Sequence, residues 1–405
     1  MIIDVRSEIN KLRKVLLHRP GKELENLTPN TLERLLFDDI PFLKVAQAEH
    51  DRFAEILREN GVEVVYLEDL MAETLDQNPG LKEKFLKEFI EEGNVKVEEE
   101  RKALYDLFMS YKDTKEMVLK TMEGVKYGEL KLKRTDLIGY LEDPSELVLD
   151  PMPNLYFTRD PFASVQNGVI LNRMYSVTRN RETLYAYYIF NHHKDYKDQV
   201  KMFYDRKYPF HIEGGDVLNL NDETLAIGIS QRTQAGAINQ VAKTLLFDPE
   251  NSHIKTILAF DIPNNRAMMH LDTVFTQIDH DKFSIHPGIL GTLRVFELTR
   301  DGDQIKTVER PHVKLEDILS EYLGKKVTLL KCGGDDRIAS EREQWNDGSN
   351  TLAIAPGVVV VYERNEVTNA LMREHGIKVI EMPSAELSRG RGGPRCMSMP
   401  LVRDN

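Results

Sequence analysis

The run Gly390-Arg391-Gly392-Gly393-Pro394-Arg395-Cys396-Met397-Ser398-Met399-Pro400 places a thiol directly after a glycine-rich, arginine-bearing loop. A lone cysteine is most often a small buried hydrophobe. Two features turn Cys396 toward reactivity. Glycines let a backbone approach a ligand closely, and the nearby cations Arg391 and Arg395 favour the thiolate, which is the nucleophilic form. The other cysteine, Cys332, also precedes two glycines, but Asp335 and Asp336 follow and disfavour a thiolate, so it reads as structural.

A nucleophile needs an acid and a base. In Met268-Met269-His270-Leu271-Asp272, the histidine can carry protons near neutral pH. On a strand, His270 and Asp272 would point to the same face. Ile212-Glu213-Gly214-Gly215-Asp216 brings a carboxylate to the start of a strand, with glycines that permit close approach. Asp160, ahead of Pro161, also reads as an ordinary turn starter. Two arginine-bearing stretches complete the set, Arg179-Asn180-Arg181-Glu182-Thr183 and Ser230-Gln231-Arg232-Thr233.

The elements that must position these residues form a repeating pattern of strand, tight turn, strand, helix, strand. It is clearest near the C-terminus. Residues 351–355 and 358–362 read as strands around Pro356-Gly357, residues 365–375 as a helix stopped by Gly376, and 377–380 as the closing strand. A second copy has strands at 217–220 and 225–229, a helix at 233–246 and a strand at 254–260. A third starts at Phe162, turns at Gln166-Asn167-Gly168 and has its helix at 181–190. A fourth starts at Asp272, turns at Asp279-His280-Asp281 and has its helix at 315–322. The first lies at the N-terminus, with a strand at 14–18, a turn at Pro20-Gly21, a helix at 46–58 and a strand at 62–67. Units that each leave an apolar face exposed stack around a shared axis. The expected fold is therefore a five-fold pseudo-symmetric α/β propeller of ββαβ units, with an ordinary mixed α/β sheet as the alternative.

Residues 74–147 break the pattern. They are rich in Lys and Glu, and Leu104, Leu107, Phe108 and Tyr111 recur at helical spacing. They read as an inserted α-helical domain without catalytic duty, between catalytic parts at 1–73 and 148–405.

Composition limits the partners. The net charge of −12 disfavours nucleic acid and is compatible with a cationic substrate. Two cysteines in 405 residues exclude a disulfide framework and point to a reducing compartment. The first residues lack the apolar core of a signal peptide, and no apolar run approaches the roughly 20 residues of a membrane helix. The expected location is cytoplasmic, with no membrane partner.

Each chemical stretch falls at the start of a unit or at its hairpin, positions that converge at one end of a propeller axis. Cys396, His270, Asp160, Glu213 and Asp272 would then share one pocket. Carboxylates in such a pocket suit a guanidinium, which donates paired hydrogen bonds. The set could also hold a metal, but zinc-type Cys/His spacing is absent from the sequence.

These motifs closely resemble the arginine deiminases, within the guanidino-group modifying enzymes of pentein fold. Phe157-Thr158-Arg159-Asp160-Pro161, Ile212-Glu213-Gly214-Gly215-Asp216, His270-Leu271-Asp272 and Arg395-Cys396-Met397-Ser398-Met399-Pro400 stand in that family's order, and the resemblance spans essentially the whole chain. It implies hydrolysis of L-arginine to L-citrulline and ammonia, with no cofactor, no metal and a homo-oligomer of two or more copies. It implies that Cys396 attacks the guanidinium carbon to give a covalent thiouronium. His270 would handle the protons and Glu213 would orient it, while Asp160 and Asp272 clamp the guanidinium. Arg179 and Arg232 would hold the α-carboxylate with help from Asn154, Phe157 would pack on the substrate, and Arg391 would sit on a gating loop. The residue before the cysteine, Arg395, receives no role, and Arg181 competes with Arg179 for the carboxylate. The alternatives are an agmatine deiminase, a methylarginine hydrolase, an amidinotransferase, a metal-dependent hydrolase and a non-catalytic arginine-binding protein.

Overall fold

The computed structural model describes residues 2–132, 137–141, 143–264 and 268–405. Five three-strand motifs recur, each an antiparallel pair followed, after a helical crossover, by a parallel strand. In the fifth unit, Leu352–Ala355 pairs antiparallel with Val358–Tyr362 across a turn where Gly357 takes φ +70°, and Lys378–Met382 returns parallel after the helix Glu366–Glu374. The second unit is built from Phe162–Val165, Gly168–Leu171 and Lys201–Tyr204 around the helix Glu182–His192. The third uses Val217–Asn221, Thr224–Ile229 and Thr256–Asp261, with the helix Ala235–Leu246. The fourth uses Phe275–Asp279, Lys282–Ile285 and Thr328–Lys331, with the helix Leu315–Leu323. The propeller expectation is met.

The first unit departs from the expected chain order. Its middle strand, Leu12–Leu17, pairs parallel with Glu63–Tyr66 after the helix Leu43–Glu59, as the repeat requires. Its antiparallel partner is the C-terminal strand Met399–Arg403, with Val15 opposite Pro400. Pro20-Gly21 therefore makes no hairpin. The two chain ends zip together and close the ring. The closure also places Cys396, which sits three positions before that strand.

Two further elements lie outside the expected pattern. The long hairpin Thr292–Asp301 and Gln304–Lys314 leaves the fourth unit and extends the third unit's sheet, with Phe296 opposite Ala259. The helix Arg337–Trp345 is capped by Asp336, whose side chain accepts the Ala339 N–H at 2.7 Å.

Around the expected insertion, helices run Leu67–Asp76, Leu81–Glu92, Glu98–Met109 and Thr114–Glu123, and the expected boundary at residue 74 falls inside the first. Phe85, Phe89 and Phe108 are fully buried and pack with Tyr185 and Tyr188 of the second unit's helix. Residues 133–136 and 142 of that stretch lie outside the described residues. Among the described residues, no helix is long and apolar enough to cross a membrane.

Candidate active site

A cavity of about 290 Å³ is lined by Cys396, His270, Asp160, Arg179, Arg232 and Arg391, with Asn154 and Phe157 in its wall. Residues from five separate stretches of sequence thus meet in one small volume. The helices between Leu67 and Glu123 contribute none of the lining.

Cys396 is 6% exposed. Its thiol donates to Asp272 Oδ2 at 3.5 Å, and its backbone N–H donates to Asn350 Oδ1 at 3.1 Å. Burial pushes the thiol pKa well up, and the charges of Asp272, Asp160 and Asp347 push it further, against the opposing pull of Arg395. The two arginines therefore do not hold a thiolate in the free protein, and the carboxylates around the thiol keep it protonated. Arg395 is spent on other partners, donating to Glu8 Oε2 at 3.0 Å, Asp272 Oδ2 at 2.8 Å and the Val217 carbonyl at 2.9 Å. Arg391 points its guanidinium onto Trp345 instead, 3.6 Å above the ring centre. Iodoacetamide should accordingly alkylate free Cys396 slowly at neutral pH, with a rate still climbing above the ordinary thiol midpoint of about 8.5. A rate that plateaus below pH 7 would contradict this.

His270 does not sit on a strand with Asp272. It caps the single helical turn Leu271–Val274, and the extended run begins only at Phe275. Thr273 fixes the turn, donating its N–H and hydroxyl to the His270 carbonyl at 3.2 and 2.7 Å. The two side chains take different partners, and Asp272 belongs to the thiol and Arg395. His270 Nε2 lies 2.8 Å from Glu213 Oε2, and Nδ1 lies 4.0 Å from Asp160 Oδ1. Burial alone would lower the imidazole pKa. The Asp160 charge, the Glu213 hydrogen bond and Asp216 outweigh it and push it up to about 9. Glu213 is held well below the carboxylate range: burial opposes ionisation, but Arg232 and His270 override it. Gly215 makes this approach possible, because a Cβ there would stand 2.6 Å from His270 Nδ1.

The cations differ in how free they are. Arg179 is engaged on every side, donating Nε and Nη2 to Glu182 at 3.0 and 2.9 Å and Nη1 to Asp160 Oδ2 at 3.1 Å. Arg181 faces away from the cavity, over the Phe89 ring and onto the Asp150 carbonyl at 2.9 Å. Arg232 reaches Glu213 at 3.5 Å through Nη1, while its Nε is buried without a partner among the described residues. The same is true of Arg391 Nε and Nη1. Asn154 donates to the Leu35 carbonyl at 2.7 Å, and Phe157 stacks on Tyr156 with centroids 4.1 Å apart.

Three contributors escaped the sequence reading. Asn350 ties Cys396 to Asp272, accepting from the cysteine N–H and donating to the Asp272 carbonyl at 3.2 Å. Asp347 is a further carboxylate near the thiol; burial raises its pKa to about 7. Glu182 neutralises Arg179. A signal existed for the first two, because Asp347-Gly348-Ser349-Asn350 is a polar cluster just ahead of a strand, the position held by the other chemical stretches.

Five ββαβ units, with a cavity lined by residues from several of them, define a protein of the pentein class. The solved structure of a dimethylarginine dimethylaminohydrolase shares the fold (14% identity, TM-score 0.52, covering 96% of this chain and 99% of that one). So does an amidinotransferase of the saxitoxin biosynthetic pathway from Microseira wollei (15% identity, TM-score 0.53, covering 100% and 98%). Within that class, a family model for arginine deiminase matches residues 33–403. A Treponema denticola protein named arginine deiminase is 60% identical over 407 residues, covering 100% of this chain and 99% of that protein. One of the same name from Clostridium perfringens is 54% identical over 408 residues, covering 100% and 98%. The chain belongs to the arginine deiminase family.

Proposed function

We infer that this chain hydrolyses L-arginine to L-citrulline and ammonia. The observation that carries the reading within the site is a pair of buried carboxylate oxygens without donors among the described residues, Asp160 Oδ1 and Asp272 Oδ1, on residues flanking the thiol and the imidazole. A guanidinium supplies the missing N–H donors and holds its carbon in line with Cys396 Sγ.

The bound cation adds positive charge beside the thiol, so the thiol ionises and its proton leaves to solvent. The sulfur attacks the guanidinium carbon, and the amino group leaves as ammonia with a proton from His270. A thiouronium remains on Cys396. Neutral His270 then takes a proton from water, the hydroxide attacks the same carbon, and the C–S bond breaks to release citrulline and regenerate the cysteine. Splitting the displacement in two suits a carbon whose charge is delocalised. Glu213 orients His270 throughout.

Arg232, with an unpartnered donor at the pocket, takes the substrate α-carboxylate, and Asn154 assists. Arg179 joins it only by releasing one of its two acids. Phe157 packs on the aliphatic chain, and Arg391 covers the pocket from its glycine loop. The reading needs no cofactor or metal, and chelator-resistant activity tests that. It places the enzyme in the cytoplasm as a homo-oligomer of at least two copies. Its two free, buried cysteines accord with a reducing compartment.

The deciding experiment is a colorimetric citrulline assay on purified protein with arginine, agmatine and a methylarginine, repeated with glycine to detect guanidinoacetate. Arginine should be the substrate turned over fastest. Arg232→Ala should raise the arginine KM about 10- to 100-fold, the scale of one charge-assisted pair, and change agmatine turnover little. Equal losses on both substrates would remove Arg232 from the carboxylate.

A further inference from the structure

Asp216 beside Glu213, and Ser230 and Thr233 around Arg232, take no part in the chemistry above, yet all three are drawn into one hydrogen-bonded circuit, with Asp216 and Thr233 buried and Ser230 half-buried. Asp216 is 0% exposed and lies outside the cavity lining. Its Oδ1 accepts the Leu271 N–H at 2.8 Å, and its Oδ2 accepts the Ser230 hydroxyl at 2.7 Å. Ser230 Oγ in turn accepts the backbone N–H groups of Arg232 at 2.9 Å and Thr233 at 3.0 Å. Thr233 Oγ1 accepts the Glu213 N–H at 3.2 Å, and Glu213 returns to His270 at 2.8 Å. The neighbouring strand is kept clear for this carboxylate, because a Cβ on Gly228 would collide with Asp216 Oδ1.

We propose that Asp216 is a positioning residue that anchors the acid–base imidazole and the carboxylate-binding arginine to one buried group. It fixes His270 through the adjacent Leu271 N–H, and Arg232 through Ser230. The proposal rests on the arginine-hydrolase reading of the site. Three donors, the Leu271 N–H and the Ser230 and Thr233 hydroxyls, converge on the two oxygens of one carboxylate. A carboxamide has one acceptor oxygen and cannot satisfy all three, and Ser230 Oγ already accepts two N–H groups, so an amide N–H facing it has no good partner.

The anchor also carries charge. The charged groups facing His270 are Asp160, Glu213 and Asp216, with Arg232 and Arg179 acting in turn on Glu213. Burial raises the Asp216 pKa to about 6, against the His270 charge and its hydrogen bonds, so it is anionic at neutral pH and above. Removing that anion weakens the hold on the imidazole proton, and His270 then loses it at lower pH.

Two variants separate positioning from charge. Asp216→Asn should lower kcat about 10- to 100-fold and move the alkaline limb of the pH–rate profile acidward by about half to one pH unit. Ser230→Ala leaves the carboxylate and its Leu271 bond in place. It should raise the arginine KM about 3- to 10-fold, with the alkaline limb unmoved. An Asp216→Asn enzyme with the parent limb and kcat overturns the proposal, as does a Ser230→Ala enzyme that reproduces the limb shift. If Asp216→Asn does not fold, Ser230→Ala decides, and an unchanged KM rejects the anchor. Titration of the His270 ring by NMR distinguishes this failure from failure of the hydrolase reading, because it needs no turnover. A chain that makes no citrulline refutes the hydrolase. A His270 midpoint identical in parent and Asp216→Asn refutes the anchor.

Discussion

Cys396→Ala should lower citrulline production by about 10⁴-fold or more while arginine still binds. The Cys396 thiol lines the cavity and is the proposed nucleophile; Cys332, the other cysteine, is fully buried in a different place, donated to by Thr368 Oγ1 at 3.4 Å, and burial pushes its pKa up to about 12. Truncation to alanine removes one sulfur and leaves the unpartnered oxygens of Asp160 and Asp272 in position. Their attraction for a guanidinium does not depend on the sulfur. Calorimetric titration with arginine should therefore report binding within about tenfold of the parent's. Citrulline at more than about 1% of the parent rate would remove Cys396 from the chemistry, and loss of binding together with turnover would show that the variant had disturbed the pocket itself.

The second large effect belongs to His270. His270→Ala should reduce kcat by about 10³-fold, the middle of the range for general acid–base catalysis. The leaving amino group departs as ammonia only if it gains a proton, and the second step needs a base for water. In the proposed mechanism one imidazole serves both steps, so neither is bypassed. The pKa near 9 sets a sign for the parent enzyme. Below it the ring is the imidazolium needed for ammonia departure; above it that acid is lost. The kcat/KM profile of the free enzyme should hold through neutrality and fall as pH rises through about 9. A fall centred near pH 6.5, the ordinary histidine value, would mean that the carboxylates do not hold the proton as the geometry indicates. Glu213→Gln should shift the limb acidward, because it removes the nearest anion while keeping a hydrogen-bond acceptor.

Much of the site could be read from residue types, because its stretches are short and locally punctuated. Glu213-Gly214-Gly215-Asp216 announces close backbone approach, and the glycine loop before Cys396 does the same. The readings that failed assigned a side chain's surroundings from its neighbours in sequence. Arg395 adjoins Cys396, yet its guanidinium is claimed by Glu8, 387 positions away. Strand spacing would give His270 and Asp272 one shared face; a helical turn, held by Thr273 and by Asp216, turns them to different partners. Asp347 and Asn350 lie 46 or more positions before the thiol that they flank.

The order of elements was determined by the chain itself: alternating β-branched runs, glycine stops and turn residues act within a few positions, so the five repeats and the helical stretch are written locally. Ring closure was not. The pairing of Met399–Arg403 with Leu12–Leu17, and the hairpin Thr292–Asp301 with Gln304–Lys314 that joins another unit's sheet, depend on which strand edges remain open once the units have packed. The same holds for the charges. Which carboxylate meets which cation, and hence whether the thiol is protonated and the imidazole basic, follows from burial and distances of a few ångströms that exist only after the ring has closed.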